Sequence, residues 1–350
     1  MRKKLTIIIP TYNMEKYLDK CLTSLIFDDK GLMAQLEVLV VIDGAKDRSS
    51  EIAHKYQDKY PNTFVVIDKK NGNYGSCINR GLKEAKGTYI KVLDADDYFD
   101  TNTFNSFLKH INGLNDTVDV IFSGYCVIDE NDRCVSSFIR NINKGIILSS
   151  SDIMDSVTNG RHVAMHEITY RTEMLRQNGY NQLEGISYTD QEWILYPMAY
   201  AKKFYCFDIV LYKYLVGRSG QTMDLSVLKK GIPALISISQ KMLEWYSCWD
   251  KNIMLNDKYI YSNIIWHLNH LYSICLLTDA DGIDLTHLKE FDDYILDINK
   301  HIYQELNNLK ASFFINARIC YVKMWRNGKD KTRLPYMLRI RNRVQHLFYK

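Results

Sequence analysis

The stretch Ile90-Lys91-Val92-Leu93-Asp94-Ala95-Asp96-Asp97 decides the fold. It begins as a short apolar strand and ends in three carboxylates, a pattern typical of a buried parallel strand at its carboxyl end. Asp94 and Asp96 are two residues apart, so both side chains leave the same side if the strand continues through them. Carboxylates at this edge of an open sheet favour Mg²⁺ or Mn²⁺ shared with substrate phosphates. The alternative is a solvated acidic turn that starts the next helix.

The residues before this stretch predict an alternation of strands and helices. Apolar, β-branched segments predict three earlier strands, at 5–9, 37–42 and 64–67, with helical patterns between them. Such alternation indicates parallel strands joined by right-handed crossovers. Pro10-Thr11-Tyr12 and Asp43-Gly44 follow two of the strands. Because parallel strands end at one edge, we expect these residues to lie near Asp94 and Asp96.

The character of the sequence changes along the chain. Residues 119–128 and 134–139 predict a hairpin, 163–170 and 204–214 predict strands, and 190–200 predicts a helix reshaped near Pro197. After residue 225 only helical patterns are expected: 226–249, 257–277, 284–307 and 309–326. We therefore predict an α/β domain at 1–224, divided at about residue 100, and a helical region at 225–350.

Composition excludes several classes of protein. The chain has 350 residues, 46% of them hydrophobic and 25% charged, which is ordinary for a folded globular protein. The net charge of +4 does not indicate a nucleic-acid-binding protein. The eight cysteines are scattered without a C-x-x-C pair, which argues against zinc and favours reduced thiols in a cytosol. The short apolar run after Met1-Arg2-Lys3-Lys4 is interpreted as a strand rather than a signal segment, so a cytoplasmic location is expected.

The chain resembles family 2 glycosyltransferases of the GT-A fold. Four segments carry the resemblance in the family's order and spacing: Ile9-Pro10-Thr11-Tyr12-Asn13, Val41-Ile42-Asp43-Gly44 with Asp47, Asn71-Gly72-Asn73-Tyr74-Gly75 through Asn79-Arg80-Gly81, and Leu93-Asp94-Ala95-Asp96-Asp97. Tyr188-Thr189-Asp190-Gln191-Glu192-Trp193 extends it less specifically. Ala45-Lys46 departs from the small polar pair that the family usually has after Asp-Gly, which leaves the nucleotide contacts open.

The resemblance implies a fold and an activity. The implied fold is α/β, a Rossmann-like mixed, mainly parallel sheet, here with an all-α C-terminal region. The resemblance makes residues 1–224 the catalytic domain, with a donor half at about 1–100 and an acceptor half at about 101–224. The implied reaction moves a sugar with inversion from a nucleotide-diphosphate donor, with a UDP-sugar as the expected donor, to a hydroxyl of a saccharide or lipid-linked saccharide. A Mn²⁺ or Mg²⁺ cofactor and a place in polysaccharide assembly are also implied. A catalytically weak binding or scaffold protein and a sugar nucleotidyltransferase are the alternatives, although no Gly-rich basic loop follows the first strand.

The resemblance also implies roles for individual residues. Asp96 is the expected metal ligand, Asp94 serves the ribose or a metal-bound water, and Asp97 either supports them or caps the next segment. Arg80 is either a phosphate contact or an exposed helical arginine, and Arg218 with Gln221 is expected to fold over the diphosphate. The expected nucleotide-sugar contacts are Pro10, Thr11, Tyr12, Asp43, Gly72, Gly75, Arg80, Asp94, Ala95, Arg218 and Gln221. For Asp43 an Asp-Gly turn is the alternative.

An acceptor hydroxyl must lose a proton as it attacks, which requires a general base. Asp190 matches the family's base position, and Glu192 is the second candidate. The alternative is that Asp190 or Thr189 caps a helix. His162 and His166 precede this segment and are candidates for the acceptor pocket, with a structural role as the alternative.

The end of the chain is strongly basic. Eleven basic residues and one acidic residue, Asp330, follow Leu309, a net charge of +10 against +4 for the whole chain. Aromatic and aliphatic residues, among them Tyr321, Val322 and Trp325, are interleaved with these bases. The mixture suits peripheral contact with an anionic membrane, possible here on the inner face of the plasma membrane. The alternative is a packed helix with a solvated basic face.

Overall fold

The computed structural model describes residues 2–114, 116–142, 145–218, 221, 225–249, 255–277, 285–314 and 317–328. The chain divides into two compact units. The first contains Met1–Arg218 and Leu255–Tyr259, and the second contains Ser219–Met254 and Ile260–Lys350. The first unit ends close to the predicted domain boundary, and the assignment of separate functional domains stays a prediction.

Strands and helices alternate through the first unit. The strands are β1 (Leu5–Thr11), β2 (Leu36–Asp43), β3 (Phe64–Lys69), β4 (Tyr89–Val92), β5 (Tyr98–Phe99), β6 (Val120–Ile128), β7 (Cys134–Phe138), β8 (Ile147–Ser149), β9 (Ile168–Arg171) and β10 (Lys203–Leu215). The helices are α1 (Leu18–Thr23), α2 (Lys30–Met33), α3 (Ser49–Lys59), α4 (Asn73–Glu84), α5 (Thr101–Gly113), α6 (Ser150–Asn159), α7 (Thr172–Gln177) and α8 (Asp190–Leu195). Short 3₁₀ helices lie at Met165–Glu167 and Pro197–Ala199.

One mixed sheet organises the first unit, with the strand order β3-β2-β1-β4-β9-β6-β10-β5. Strands β1 to β4 are parallel, and Ile8 lies between Leu39 of β2 and Val92 of β4. Strand β9 is antiparallel to both neighbours, whereas β6 and β10 are parallel. This arrangement confirms the expected fold class and places the ends of β1, β2 and β4 at one edge.

The core of the first unit lies on the central strands. Leu5, Ile7, Ile8 and Ile9 of β1 are fully buried, as expected for a strand paired on both sides. Helix α4 packs closely on β1 because Gly81 has no side chain: a Cβ there would lie 2.5 Å from Ile8 Cδ1. The apolar strand composition is therefore explained by burial between packed layers.

The predicted elements of the acceptor half are largely present, with different bounds. The hairpin forms as β6 and β7, and the helix at 190–200 is interrupted at Pro197 as predicted. The predicted strand 163–170 begins only at Ile168, because residues 165–167 turn as a 3₁₀ helix. The short strands β5 and β8 were not predicted, since two or three residues carry too little pattern.

The second unit is mainly helical, but not entirely. Its elements are α9 (Leu225–Cys248), α10 (Asp257–Leu277, whose first turn belongs to the first unit), α11 (Thr286–Ile298), α12 (Lys300–Leu306), β11 (Lys310–Phe314), β12 (Ala317–Cys320) and α13 (Tyr321–Asn327). Among the described residues, none of the helices is both long enough and apolar enough to cross a bilayer.

Two helix predictions in the second unit are wrong. The single helix expected at 284–307 is divided at Asn299, where φ is −152° and the side chain accepts a hydrogen bond from Ile302 N. The helix expected at 309–326 is instead a hairpin followed by a short helix, with Lys310 opposite Cys320 and Ala311 opposite Ile319. Cross-strand pairing satisfies the backbone there, and it overrides a helical pattern that was read from spacing alone.

Candidate functional site

Residues 94–97, which we call the acid turn, follow β4 directly. Asp97 N donates to Asp94 O at 3.0 Å and closes the turn. The Asp97 carboxylate is buried and accepts from the Tyr212 hydroxyl at 2.7 Å and from Leu215 N at 2.8 Å. Asp97 therefore anchors the turn to β10 rather than capping the helix that follows, which is capped by Asp100.

Asp94 is held by two tyrosines. Its Oδ1 accepts from the Tyr74 hydroxyl at 3.0 Å, and its backbone N donates to the Tyr212 hydroxyl at 3.1 Å. Burial, and then the charge of Asp96, raises the pKa of Asp94 to about 7. Burial, and then the charges of Asp96 and Asp94, raises the pKa of Asp97 well above its ordinary value. Burial and mutual repulsion thus favour the protonated forms of Asp94 and Asp97.

Asp96 is paired with an arginine. Arg218 Nε donates to Asp96 Oδ2 at 2.6 Å, and the side chains are only 14% and 12% exposed. The guanidinium carbon also lies 5.5 Å from the centre of the Tyr17 ring. The structure therefore brings together two predicted site residues separated by more than a hundred positions.

The donor set at the acid turn fits a divalent cation. One ligand atom each from Asp94, Asp97 and His166 lies within 4.8 Å of the others. His166 Nδ1 is buried without a hydrogen-bond partner, and burial, followed by the charge of Lys91, lowers the His166 pKa to about 3. A neutral imidazole and carboxylates are good ligands for such ions. Asp96, the predicted ligand, is not part of this cluster, and its contact with a metal stays a prediction.

Asp190 begins α8 and faces the same cluster. Its charge contributes to the raised pKa values of Asp94 and Tyr74. Burial raises the pKa of Asp190 itself to about 6, and Gln191 Nε2 donates to its Oδ2 at 3.2 Å. Thr189 occupies the N-cap position without a side-chain capping bond, so capping does not account for this segment.

Glu192, the second candidate base, has a structural position. It is fully buried, and its Oε2 accepts from Leu183 N at 2.7 Å. The backbone of Leu183 also lies close to Gly75, where a Cβ would clash with Leu183 O. Gly75 thus permits close approach of the protein's own backbone, and its contact with a donor stays a prediction.

Asp43, at the end of β2, is buried and already bonded within the protein. Its Oδ1 accepts from Lys69 Nζ at 2.5 Å and from Gly72 N at 2.9 Å, while Asn71 Nδ2 donates to its carbonyl at 2.9 Å. Gly44 has a φ of +69°, so the Asp-Gly turn that the sequence left open is present. These bonds fix the carboxylate and the loop containing Gly72 against each other.

The remaining predicted contacts fall into different settings. Thr11 is buried and its hydroxyl donates to Ile9 O at 3.1 Å, whereas the Tyr12 side chain next to it is exposed.

Arg80 lies on the exposed face of α4, 3.0 Å from Glu84, so its position is that of an exposed helical arginine, the alternative to a phosphate contact. Gln221 belongs to the second unit. Pro10 and Ala95 lie beside these positions in β1 and the acid turn, and their donor contacts stay predictions.

Sequence reasoning gave no role to several residues of the site. Tyr74 lies inside a quoted motif, and Tyr212 reaches the acid turn only through the folding of β10. Lys91 is completely buried, donates to the carbonyls of His166 at 2.7 Å and Ile168 at 3.1 Å, and has its pKa lowered to about 7 by burial. A lysine within an apolar strand was the signal that could have identified it. The His166 ring packs 4.4 Å from the Tyr214 ring, and the acceptor-pocket role of His162 and His166 stays a prediction.

The fold is of the GT-A type: a mixed sheet whose parallel strands end in clustered carboxylates. Residues 6–149 match the family model described as glycosyl transferase family 2. Residues 6–149 are thus similar to family 2 glycosyltransferases, in agreement with the resemblance seen in the sequence.

The similar proteins agree with this assignment. An uncharacterized glycosyltransferase of Mycoplasma pneumoniae, the MG025 homolog, is 39% identical over 131 residues, which cover 37% of this chain and 42% of the relative. The minor teichoic acid biosynthesis protein GgaB of Bacillus subtilis is 35% identical over 116 residues, 33% of this chain and 13% of GgaB. Both matches thus span less than half of the relative's length. The crystal structure of S. aureus TarS 1–349 with UDP-GlcNAc has a TM-score of 0.59 at 21% identity, covering 85% of this chain and 82% of that one, and shares the fold.

Proposed function

We propose that this protein is a metal-dependent, inverting glycosyltransferase that moves a sugar from a UDP-sugar to a hydroxyl group of a growing glycan. The observation that carries the proposal is the cluster of carboxylates in the acid turn, with the charge of Asp190 from a separate element acting on Asp94. A UDP-sugar is the first donor to test because a protein of similar fold, S. aureus TarS, has been crystallised with UDP-GlcNAc. Teichoic-acid-type or other polysaccharide synthesis is the corresponding process, in view of the match to GgaB.

Asp94, Asp97 and His166, whose ligand atoms lie together, would hold the cation, and Asp96 is the further ligand that the sequence predicts. When bound, a divalent cation supplies positive charge that stabilises the diphosphate leaving group. Tyr74 and Tyr212 orient Asp94, and Asp97 fixes the turn that carries these ligands. The exposed Tyr12 ring at the end of β1 is available to border the nucleobase.

Asp190 is the proposed general base. As the acceptor oxygen bonds to the anomeric carbon and the bond to the diphosphate breaks, the hydroxyl proton passes to the Asp190 carboxylate. A pKa of about 6 leaves this carboxylate ionised at neutral pH and more basic than an ordinary aspartate. Attack from the face opposite the leaving group inverts the anomeric centre.

The test compares Asp190→Asn with Glu192→Gln. Asp190→Asn should bind UDP and Mn²⁺ normally in calorimetry but lose transfer by about 100-fold or more, the typical effect of removing a general base. Normal transfer by Asp190→Asn together with loss in a folded Glu192→Gln variant would exchange the roles. A wild-type chain that binds UDP but neither transfers nor hydrolyses any UDP-sugar would instead be the binding protein that the sequence left open.

A further inference from the structure

Arg218 is ion-paired with Asp96, the carboxylate that the proposed function assigns to a metal ion. Its Nε lies 2.6 Å from Asp96 Oδ2, with both side chains largely buried. Arg218 is the only basic side chain ion-paired with the acid turn in the described part of the chain. Lys91, which lies shortly before the acid turn in sequence, donates to the backbone carbonyls of His166 and Ile168 instead.

The charge around this ion pair is unbalanced. Asp94 and Asp97 lie on the same turn as Asp96, and one carboxylate oxygen of Asp94 lies within 4.8 Å of one of Asp97. A single guanidinium therefore partly neutralises several carboxylates, a task that a divalent cation would perform more completely. The guanidinium and a metal cannot share the same Asp96 oxygen, and their like charges repel at this distance.

We propose that Arg218 holds the place of the divalent cation at Asp96 until the donor binds, and then transfers to the donor's diphosphate. The inference rests on the proposed metal-dependent function. The planar guanidinium suits phosphate oxygens as well as carboxylate oxygens, so the exchange keeps its hydrogen bonds satisfied. The metal alone then binds weakly, and donor and metal strengthen each other's binding by the same factor.

The experiment measures Mn²⁺ binding to Arg218→Gln without nucleotide, by electron paramagnetic resonance of free Mn²⁺. The matched control is Arg133→Gln, an exposed arginine paired with Asp129 on the β6–β7 hairpin. Measurement at about pH 8 keeps Asp94 ionised, since its pKa is about 7. Arg218→Gln should bind Mn²⁺ alone about tenfold more tightly than wild type, while its affinity for UDP at saturating Mn²⁺ falls about tenfold.

The outcomes separate this inference from the proposed function. Equal or weaker Mn²⁺ binding by Arg218→Gln, in a protein that still shows Mn²⁺-dependent UDP binding, overturns the inference alone. Wild-type protein that binds UDP equally well with and without Mn²⁺ overturns both. Opposite changes for Mn²⁺ and UDP support the exchange, because loss of a merely structural arginine would weaken both.

A second inference concerns two cysteines on the β6–β7 hairpin. Cys126 Sγ and Cys134 Sγ lie only 2.6 Å apart. Cys134 is exposed and Cys126 is buried, which raises the pKa of Cys126 to about 11. Cys126 packs with Ile128 and Leu215, and Leu215 N is the donor to Asp97. The thiol pair therefore lies beside the segment that anchors the acid turn.

We infer that Cys126 and Cys134 form a disulfide when a small-molecule disulfide such as oxidised glutathione is present. The exposed Cys134 thiolate attacks one oxidant sulfur and releases one glutathione thiol. Cys126 then attacks Cys134 in the mixed disulfide and releases the second. Two electrons pass to the oxidant, which is reduced to two thiols, and the protein thiols give up their protons.

The test treats the full chain with oxidised glutathione and maps its peptides by mass spectrometry after alkylation. Wild type should yield a cross-linked Cys126–Cys134 peptide, while Cys126→Ser should accumulate glutathione on Cys134. Stable glutathione on Cys134 of the wild type, or alkylation of both thiols after oxidation, would rule out the pair as a disulfide site.

Discussion

The hydroxyl of Tyr212 donates to Asp97 Oδ2 at 2.7 Å and accepts from Asp94 N at 3.1 Å. A single side chain from β10 thus fixes both ends of the acid turn, more than a hundred residues away in sequence. The ring itself is fully buried, so the hydroxyl has a defined position. The geometry of the acid turn consequently depends on the packing of the acceptor half of the unit.

Loss of the Tyr212 hydroxyl alone should therefore disturb the geometry of the acid turn. We expect Tyr212→Phe to lower the free energy of unfolding by about 2 kcal/mol, because a buried carboxylate loses a hydrogen-bond donor. Affinity for UDP with Mn²⁺ should fall about tenfold, measured by calorimetry. Tyr205→Phe, on the same strand, is the control, and equal effects of the two variants would contradict the prediction.

The transfer rate should depend on the ionisation of Asp190. Because burial raises the Asp190 pKa to about 6, protonation removes the base as the pH falls through that value. At saturating donor and metal, kcat should rise from about pH 5 and reach a plateau above about pH 7. A kcat that is unchanged across this range would show that another group accepts the proton.

Glu192 should contribute to stability rather than to chemistry. Glu192→Ala removes the buried acceptor of Leu183 N, and we expect the free energy of unfolding to fall by about 2 kcal/mol. Urea denaturation measures the change, with the exposed Glu173→Ala as the control. No loss of stability beyond that of the control would count against the structural position of Glu192.

The second unit contains a buried ion pair that invites a separate test. Arg326 Nη2 lies 2.6 Å from Asp292 Oδ1, and the side chains are 6% and 0% exposed. Arg326→Met should destabilise this unit by about 3–5 kcal/mol, because the buried Asp292 carboxylate would lose its ion-pair partner. The double variant Arg326→Met/Asp292→Asn should recover part of the loss in thermal unfolding, and failure to recover any would refute this account.

Peripheral membrane contact stays a prediction, now restricted to fewer residues. Tyr321, Val322 and Trp325 are buried and Arg326 is ion-paired, so they are unavailable to a membrane. The basic residues after 328 lie outside the described residues. Neutralising Arg339, Arg341 and Arg343 with glutamine should weaken co-sedimentation with anionic vesicles, since each base contributes about 1 kcal/mol near such a surface. Equal binding to neutral and anionic vesicles would exclude an electrostatic contact.

The sequence by itself determined the parallel core of the sheet and the resemblance to a family. Strands β1 to β4 are short apolar runs, and their period and their polar ends are local properties of the chain. The same local pattern identified Asp94, Asp96 and Asp190, because motifs place chemistry-bearing residues at fixed distances from strand and helix ends. Hairpin β11–β12 was missed because the spacing of apolar residues at 309–326 also fits a helix, and spacing alone does not choose between the two structures.

Only the tertiary structure decided how those residues are paired. The Arg218–Asp96 ion pair and the bonds from Tyr212 join positions more than a hundred residues apart, so no spacing in the sequence predicts them. Burial likewise decided the chemistry: it raises the pKa of Asp190 and leaves Glu192 bonded to a loop, although both are acids of one short segment. The burial of a side chain and its contacts with distant residues depend on which elements pack together, and this packing is fixed only when the whole unit folds.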